Sequence, residues 1–149
     1  MDIKKLKYDS YIRMIKNSVG TKMFRNLYIE IDNKKIDATQ NGNLSCAFFV
    51  SNILLIFGLT SNGHATVKST IKDMEEFGWK KISKDKIKPG DVIVWEKKKV
   101  GNSFNLHIGF YIGNKKTISN NYRKRRPTIH KLDEKKRKID SIYTYEKIS

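Results

Sequence analysis

The chain has 149 residues, 38% of them hydrophobic and 11% aromatic, and a net charge of +16. That length suits one domain with one core, spanning residues 1–149, and that apolar content excludes a disordered chain. A single cysteine excludes an internal disulfide and any multi-cysteine zinc site, and with only three histidines no metal or other cofactor is expected. The opening MDIKKLKYDSYIRMIKNSV has lysines but no continuous apolar core, so it does not read as a secretory signal. No run approaches the roughly 18 apolar residues of a membrane span. The expectation is a soluble, cytoplasmic chain unless it is exported by another route.

In chain order, apolar residues recur between Ile3 and Val19 at helical spacing, which predicts an amphipathic helix stopped by Gly20. Met23–Ile31 is ambiguous between helix and strand. Asp32–Asn43 is polar and reads as a loop, forming one wall of a cleft if a cleft lies here. The stretch NLSCAFFVSNILLIFGL follows. Its run from Ala47 to Phe57 is apolar nearly all round and predicts a buried helix ended by Gly58. Ser45 is an N-cap type, and Cys46 falls in the first turn, where the helix dipole and free N–H groups favour a thiolate. His64 lies in the TSNGHA turn, where a structural or exposed role is expected. Ala65–Phe77 is a second amphipathic helix.

Beyond Trp79 the period changes from 3.6 to 2. Lys88-Pro89-Gly90-Asp91 is a tight turn. Val92–Trp95 reads as a strand, Glu96–Phe104 as a charged hairpin loop, and Leu106–Ile112 as the next strand. Thr117–Asn120, Pro127–Leu132 and Ile139–Ile148 complete about five strands, with a charged turn at Asp133–Lys136. Helices first and strands after predict an α+β fold, helices packed on an antiparallel sheet.

His107 stands among apolar residues on the second of these strands. A cysteine opening a buried helix and a histidine on a sheet strand are the pair a thiol nucleophile needs: the imidazole takes the proton and the thiolate attacks a carbonyl. A third polar group must hold the imidazole, and Ser119 and Asn120 follow on the next strand. Backbone N–H groups around Cys46 offer an oxyanion hole.

Charge is uneven: residues 80–149 carry 20 Lys+Arg against 7 Asp+Glu, and residues 1–79 carry 11 against 8. A field of that sign attracts polyanions. Its densest cluster is Arg123, Lys124, Arg125 and Arg126 beside Tyr122, a pattern that pairs with phosphates and stacks on bases. The plainer role is a solvated hairpin edge kept from aggregating by its charge.

The stretches LSCAFFVSNIL, KPGDVIVWE and LHIGFYIGNKKTIS, in that order, resemble the NlpC-type cell-wall cysteine peptidases of the papain-like superfamily, relatives of the CHAP amidases. The matching residues are Cys46, Pro89, Gly90, Asp91, Val92–Trp95, His107, Gly109, Tyr111 and Gly113, within about Asn41–Asn120. The resemblance implies a metal-free cysteine peptidase or amidase acting on peptidoglycan peptides, with Cys46 as nucleophile and His107 as base. The family's third residue falls at Ser119 when the strands are aligned without a gap. Asparagine is the better orienter, so a one-residue shift would favour Asn120, which is slightly preferred. The family commonly has Asp-Cys-Ser-Gly where this chain has Ser45-Cys46-Ala47-Phe48. The absence of a signal fits a phage-type or otherwise delivered lysin, an intracellular amidase, or a relative with different chemistry. Two alternatives stay open: a polyanion- or nucleic-acid-binding protein on the same scaffold, and an acyl or peptide transferase.

Overall fold

The computed structural model describes residues 1–100, 103–133 and 137–148. Helix α1 (Lys7–Asn17) leads to a two-stranded hairpin, β1 (Tyr28–Ile31) and β2 (Lys34–Asp37). Helices α2 (Cys46–Ile56) and α3 (Val67–Phe77) follow. Then come β3 (Lys80–Ile82), β4 (Val92–Val100), β5 (Ser103–Gly113), β6 (Lys116–Asn121), β7 (Arg126–Lys131) and β8 (Ile139–Thr144). These six form an antiparallel sheet in the order β3-β8-β4-β5-β6-β7. The class is α+β, as expected, with six strands in the main sheet rather than about five.

Three elements differ from the sequence reading. The polar stretch from Asp32 is not a plain loop. Asp32 and Asn33 both take positive φ, the backbone of a two-residue hairpin turn, and join β1 to β2. The charged segment after Trp95 is strand rather than loop: Lys98 pairs with Asn105 and Lys99 with Phe104, past an irregularity between Trp95 and Lys98. Alternation of polarity hides a strand whose residues are nearly all charged. Positions 101–102 of the expected loop, and positions 134–136 of the expected charged turn, lie outside the described residues. The short β3 on the sheet edge was also unforeseen.

The sheet has two faces. Val92, Val94, Ile108, Phe110, Ile118 and Tyr143 form a core with α2, through Phe49, Val50, Ile53 and Leu54. Ile93, Trp95, Tyr111, Leu132 and Ile142 cluster separately. Period-2 alternation along each strand produces the split. The Pro89-Gly90-Asp91 turn ties α1 to this sheet. Tyr8 Oη donates to the Pro89 carbonyl at 2.6 Å and Tyr11 Oη to the Gly90 carbonyl at 2.8 Å. Gly90 has φ +96, and a Cβ there would sit 2.9 Å from the Tyr11 ring. Asp91 is buried and accepts from the Lys88 backbone N–H at 2.9 Å and from Thr144 Oγ1 at 2.6 Å.

His64 is structural. Its Nε2 donates to Asp73 at 2.7 Å, and its backbone N–H donates to Ser51 Oγ at 2.7 Å. Asp73 also accepts from the Ser61 backbone N–H and hydroxyl and from the Asn62 N–H, so it clamps the α2–α3 connection onto α3. Burial opposes its charge, but His64 and these donors outweigh burial and hold the carboxyl at about 2, below its ordinary value. A depressed carboxylate stabilises the fold above its unfolded pKa and loses that contribution as pH falls through about 2. Asp73→Asn is therefore expected to cost about 2 kcal/mol, the scale of hydrogen bonds to a charged group. In urea melts, the gap from the parent chain should be constant from neutral pH down to about pH 5 and shrink below about pH 4. A gap independent of pH would show that the carboxylate's charge contributes nothing.

Candidate active site

The β5–β6 register runs from Gly113↔Lys116 to Gly109↔Ser119. Past Ser119, β6 continues as far as Asn121, paired with β7. The two strands part there, and the segment ahead of α2 enters the opening. Asn120 Nδ2 donates to the Gly42 carbonyl at 2.8 Å. The Ile108 backbone N–H, just beyond the last β5–β6 pair, reaches the Cys46 sulfur. Gly42 has φ +91 and lies so close to the β6–β7 turn that a Cβ would meet Arg125 at 2.7 Å. Asp37 fixes the loop from the other side, accepting from Asn26, the Leu27 N–H, the Thr39 N–H and the Asn41 N–H. Burial opposes ionisation of Asp37, but Thr39, Asn26 and these backbone donors hold it well below the usual carboxylate range.

Cys46 and His107 line one cleft of about 370 Å³. His107 Nε2 is 2.8 Å from Ser119 Oγ, and the same oxygen is 2.7 Å from His130 Nε2. His130 Nδ1 lies 3.2 Å from the Lys131 carbonyl and 3.1 Å from Thr117 Oγ1. Buried Trp95 lies beside both imidazoles, with centroids 5.2 Å from His107 and 5.6 Å from His130. Gly109 makes room for this group: a Cβ there would meet Ser119 at 2.7 Å and the Trp95 ring at 3.1 Å. Arg137 also lines the cleft; one guanidinium nitrogen donates to the Asn105 carbonyl at 2.8 Å. A wider apolar groove of about 1080 Å³ runs along α1 between Leu6, Met14, Met23 and Ile56, but no cysteine or histidine lines it.

The preference for Asn120 as the group that orients His107 is not met. Successive side chains alternate faces, so Ser119 turns to His107 while Asn120, buried, turns to Gly42. Ser45 occupies the N-cap position of α2 without capping it. Its φ of −102° and ψ of 6° do not present the side chain to the first turn, and its Oγ is buried with no hydrogen-bond partner among the described residues. The wall expected from Asp32–Asn43 is only its end: Asn43 and Leu44 line the cleft. Arg123, Lys124, Arg125 and Arg126 make the exposed β6–β7 turn. The carbonyls of Lys124 and Arg125 accept from Arg25, which makes the turn part of the loop packing around Gly42.

A family model described as bacteriophage peptidoglycan hydrolase matches residues 37–148. The chain belongs to the bacteriophage peptidoglycan hydrolase family. Its fold is also that of NlpC2 from Trichomonas vaginalis, with a TM-score of 0.62 at 13% identity, over 97% of this chain and 49% of that one. The chain thus spans about half the length of that protein. No curated protein sequence matches it. For this family member, neither the fold nor the family points to nucleic acid. His130 and Arg137 were missed in the sequence. The β6–β7 register that carries His130 to Ser119 is a long-range pairing, and Arg137 arrives from the segment before β8.

The electrostatics of the pair differ from the dipole argument. Burial raises the Cys46 thiol above its ordinary value, although the Ile108 and Ala47 N–H groups and the Arg137 charge act the other way. Burial, with the charges of Arg137 and His130, lowers His107 to about 3. The resting pair is therefore thiol and neutral imidazole. Alkylation of Cys46 by iodoacetamide should rise with pH along one titration at or above about 8.5, the ordinary thiol value. A rate plateau already reached near pH 5 would contradict a neutral resting pair.

Proposed function

We propose that the chain cleaves an amide bond in peptidoglycan peptides, with Cys46 as nucleophile and His107 as general base. The observation that carries this reading is the shared cleft, in which Ser119 occupies His107 Nε2 and leaves Nδ1 for the thiol proton. The family supports the substrate class.

The polarity of the hydrogen-bond chain follows from its last member. A carbonyl only accepts, so His130 Nδ1 carries a proton toward the Lys131 oxygen. With that ring neutral, His130 Nε2 is an acceptor, and the Ser119 hydroxyl donates to it. Ser119 Oγ in turn accepts from the Nε2–H of His107. His107 is left with its lone pair on Nδ1, the form a base requires. In the reaction the Cys46 S–H proton moves to His107 Nδ1 as sulfur bonds to the carbonyl carbon. The N–H groups of Cys46 and Ala47 at the start of α2 have no intrahelical acceptor; in the free chain they face the Cys46 sulfur, and in the reaction they turn to the oxyanion that forms beside it. Collapse breaks the C–N bond, and His107 returns its proton to the leaving amine. Water, deprotonated by His107, then cleaves the thioester. Ser119 alone is a weak orienter, because a hydroxyl rotates freely. His130 and the Lys131 carbonyl fix its direction.

The test is release of soluble peptides and new amino groups from purified peptidoglycan. Cys46→Ala and His107→Ala are each expected to abolish release; full activity in Cys46→Ala would end the mechanism. His130→Ala is expected to lower kcat on the order of ten- to a hundredfold with KM unchanged, as when the outer partner of a reacting histidine is lost. His130→Gln, whose Oε1 can accept from Ser119, should recover most of the loss. His130→Lys, which can only donate, should not.

A further inference from the structure

Among the described residues, Lys98, Lys124, Lys131 and Arg137 line the cleft and no Asp or Glu does. Among these cations Arg137 is the one set against the reacting groups, since its charge acts on both Cys46 and His107. It is also incompletely bonded. One terminal nitrogen donates to the Asn105 carbonyl, which fixes the guanidinium plane, while Nε is buried with no hydrogen-bond partner among the described residues. A buried unpaired donor on a charged group is costly and is satisfied by an acceptor arriving in the cleft. The planar fork of Arg, with Nε and a terminal nitrogen side by side, matches the two oxygens of a carboxylate.

We propose that Arg137 is a carboxylate-binding residue, so that the substrate of this cleft is a peptide carrying a free carboxylate within reach of the amide that Cys46 attacks. This deepens the hydrolase reading and rests on Cys46 being the reacting atom. The anchor positions the acyl group before the thiol is deprotonated. It also selects against peptides in which that carboxylate is amidated, because they leave the Arg137 charge unpaired. Lys98, Lys124 and Lys131 form the cationic surroundings and steer acidic fragments inward without setting their geometry.

The experiment uses two alkylating agents that differ in one group. Iodoacetate carries a carboxylate and iodoacetamide a carboxamide, and both react with the only cysteine. Their rate ratio cancels the fraction of Cys46 present as thiolate. Relative to the ratio measured on free cysteine, the parent chain is expected to favour iodoacetate by about tenfold, the scale of one charge-assisted bond. Arg137→Gln should return the ratio to that of free cysteine, and Arg137→Lys, which keeps the charge but loses the fork, should fall between. Lys98→Gln and Lys124→Gln, which weaken the steering alone, should lower it far less than Arg137→Gln. Three results would overturn the proposal: no preference in the parent chain, an Arg137→Gln variant slowed equally with both reagents, or lysine variants that erase the preference as fully as Arg137→Gln. Near-UV circular dichroism checks that each variant is folded, and Arg137→Lys supplies the decision if Arg137→Gln is not. The ratio does not depend on hydrolysis. A preference that depends on Arg137, without cleavage of any peptidoglycan fragment, would keep the site and remove the hydrolase reading. Cleavage with no preference would do the reverse.

Discussion

The candidate cleft depends on the point at which β6 leaves β5. Up to Gly109↔Ser119 the two strands are paired; beyond it β6 follows β7. A strand that parts from its neighbour leaves backbone donors without a ladder, and such groups must find other partners when they are not in water. The Ile108 N–H finds the Cys46 sulfur, and the Gly42 carbonyl finds Asn120. The start of α2 is thus bound into the sheet by groups that the parting sets free. Gly109 permits the last pair to close, because any side chain there would strike Ser119 and Trp95. One glycine therefore controls both the distance from β5 to β6 and the contact between His107 and Ser119.

The same geometry gives Ser119 and Asn120 separate jobs. Neighbours on a strand face opposite sides, so the two cannot share a role without a bulge, and the β6–β7 register is regular through both. Chemical suitability favoured asparagine as an orienter, but the sheet places serine at the imidazole. The deficit of a lone hydroxyl is made up one strand further on. His130 and the Lys131 carbonyl supply the fixed direction that an asparagine side chain would have carried by itself. In the proposed mechanism the orienting function is spread over two side chains and a backbone carbonyl, with Ser119 as the relay next to the ring.

What the sequence revealed was what is encoded locally. The apolar run after Cys46, the Pro89-Gly90-Asp91 turn and the apolar surroundings of His107 each depend on near neighbours, and each lies where the pattern placed it. The β1–β2 hairpin had a legible signal in Asp32-Asn33, a pair suited to positive φ, but its four-residue strands are exposed and have no apolar alternation. The charged half of β4 was unreadable for a similar reason. His130 and Arg137 needed more than local pattern. One reaches the site through a strand register, the other through the approach to β8, and both look like ordinary basic residues in a basic half-chain. The α2 dipole was also legible, and misleading. It favours a thiolate, but packing against β5 leaves Cys46 half-buried, and the desolvation outweighs the dipole.

Burial of the pair has a consequence for how the cleft treats charge. An ion pair of thiolate and imidazolium would have to be desolvated with no carboxylate among the described residues to support the imidazolium, since Ser119 is a neutral partner and Arg137 and His130 both disfavour a positive ring. The neutral pair avoids that cost at rest. In the proposed reaction, charge then separates only when a carbonyl is in place to receive the sulfur's electrons, and the developing negative charge sits beside Arg137 and the opening N–H groups of α2. The arrangement therefore stabilises charge that forms during reaction more than charge that exists before it, which is the difference that lowers a barrier. A carboxylate partner for His107 would have raised its pKa and favoured the ion pair in the free protein. A hydroxyl relay ending on a backbone carbonyl holds the ring's orientation without adding a carboxylate, and a described lining without acids leaves Arg137 free for the carboxylate proposed for the substrate.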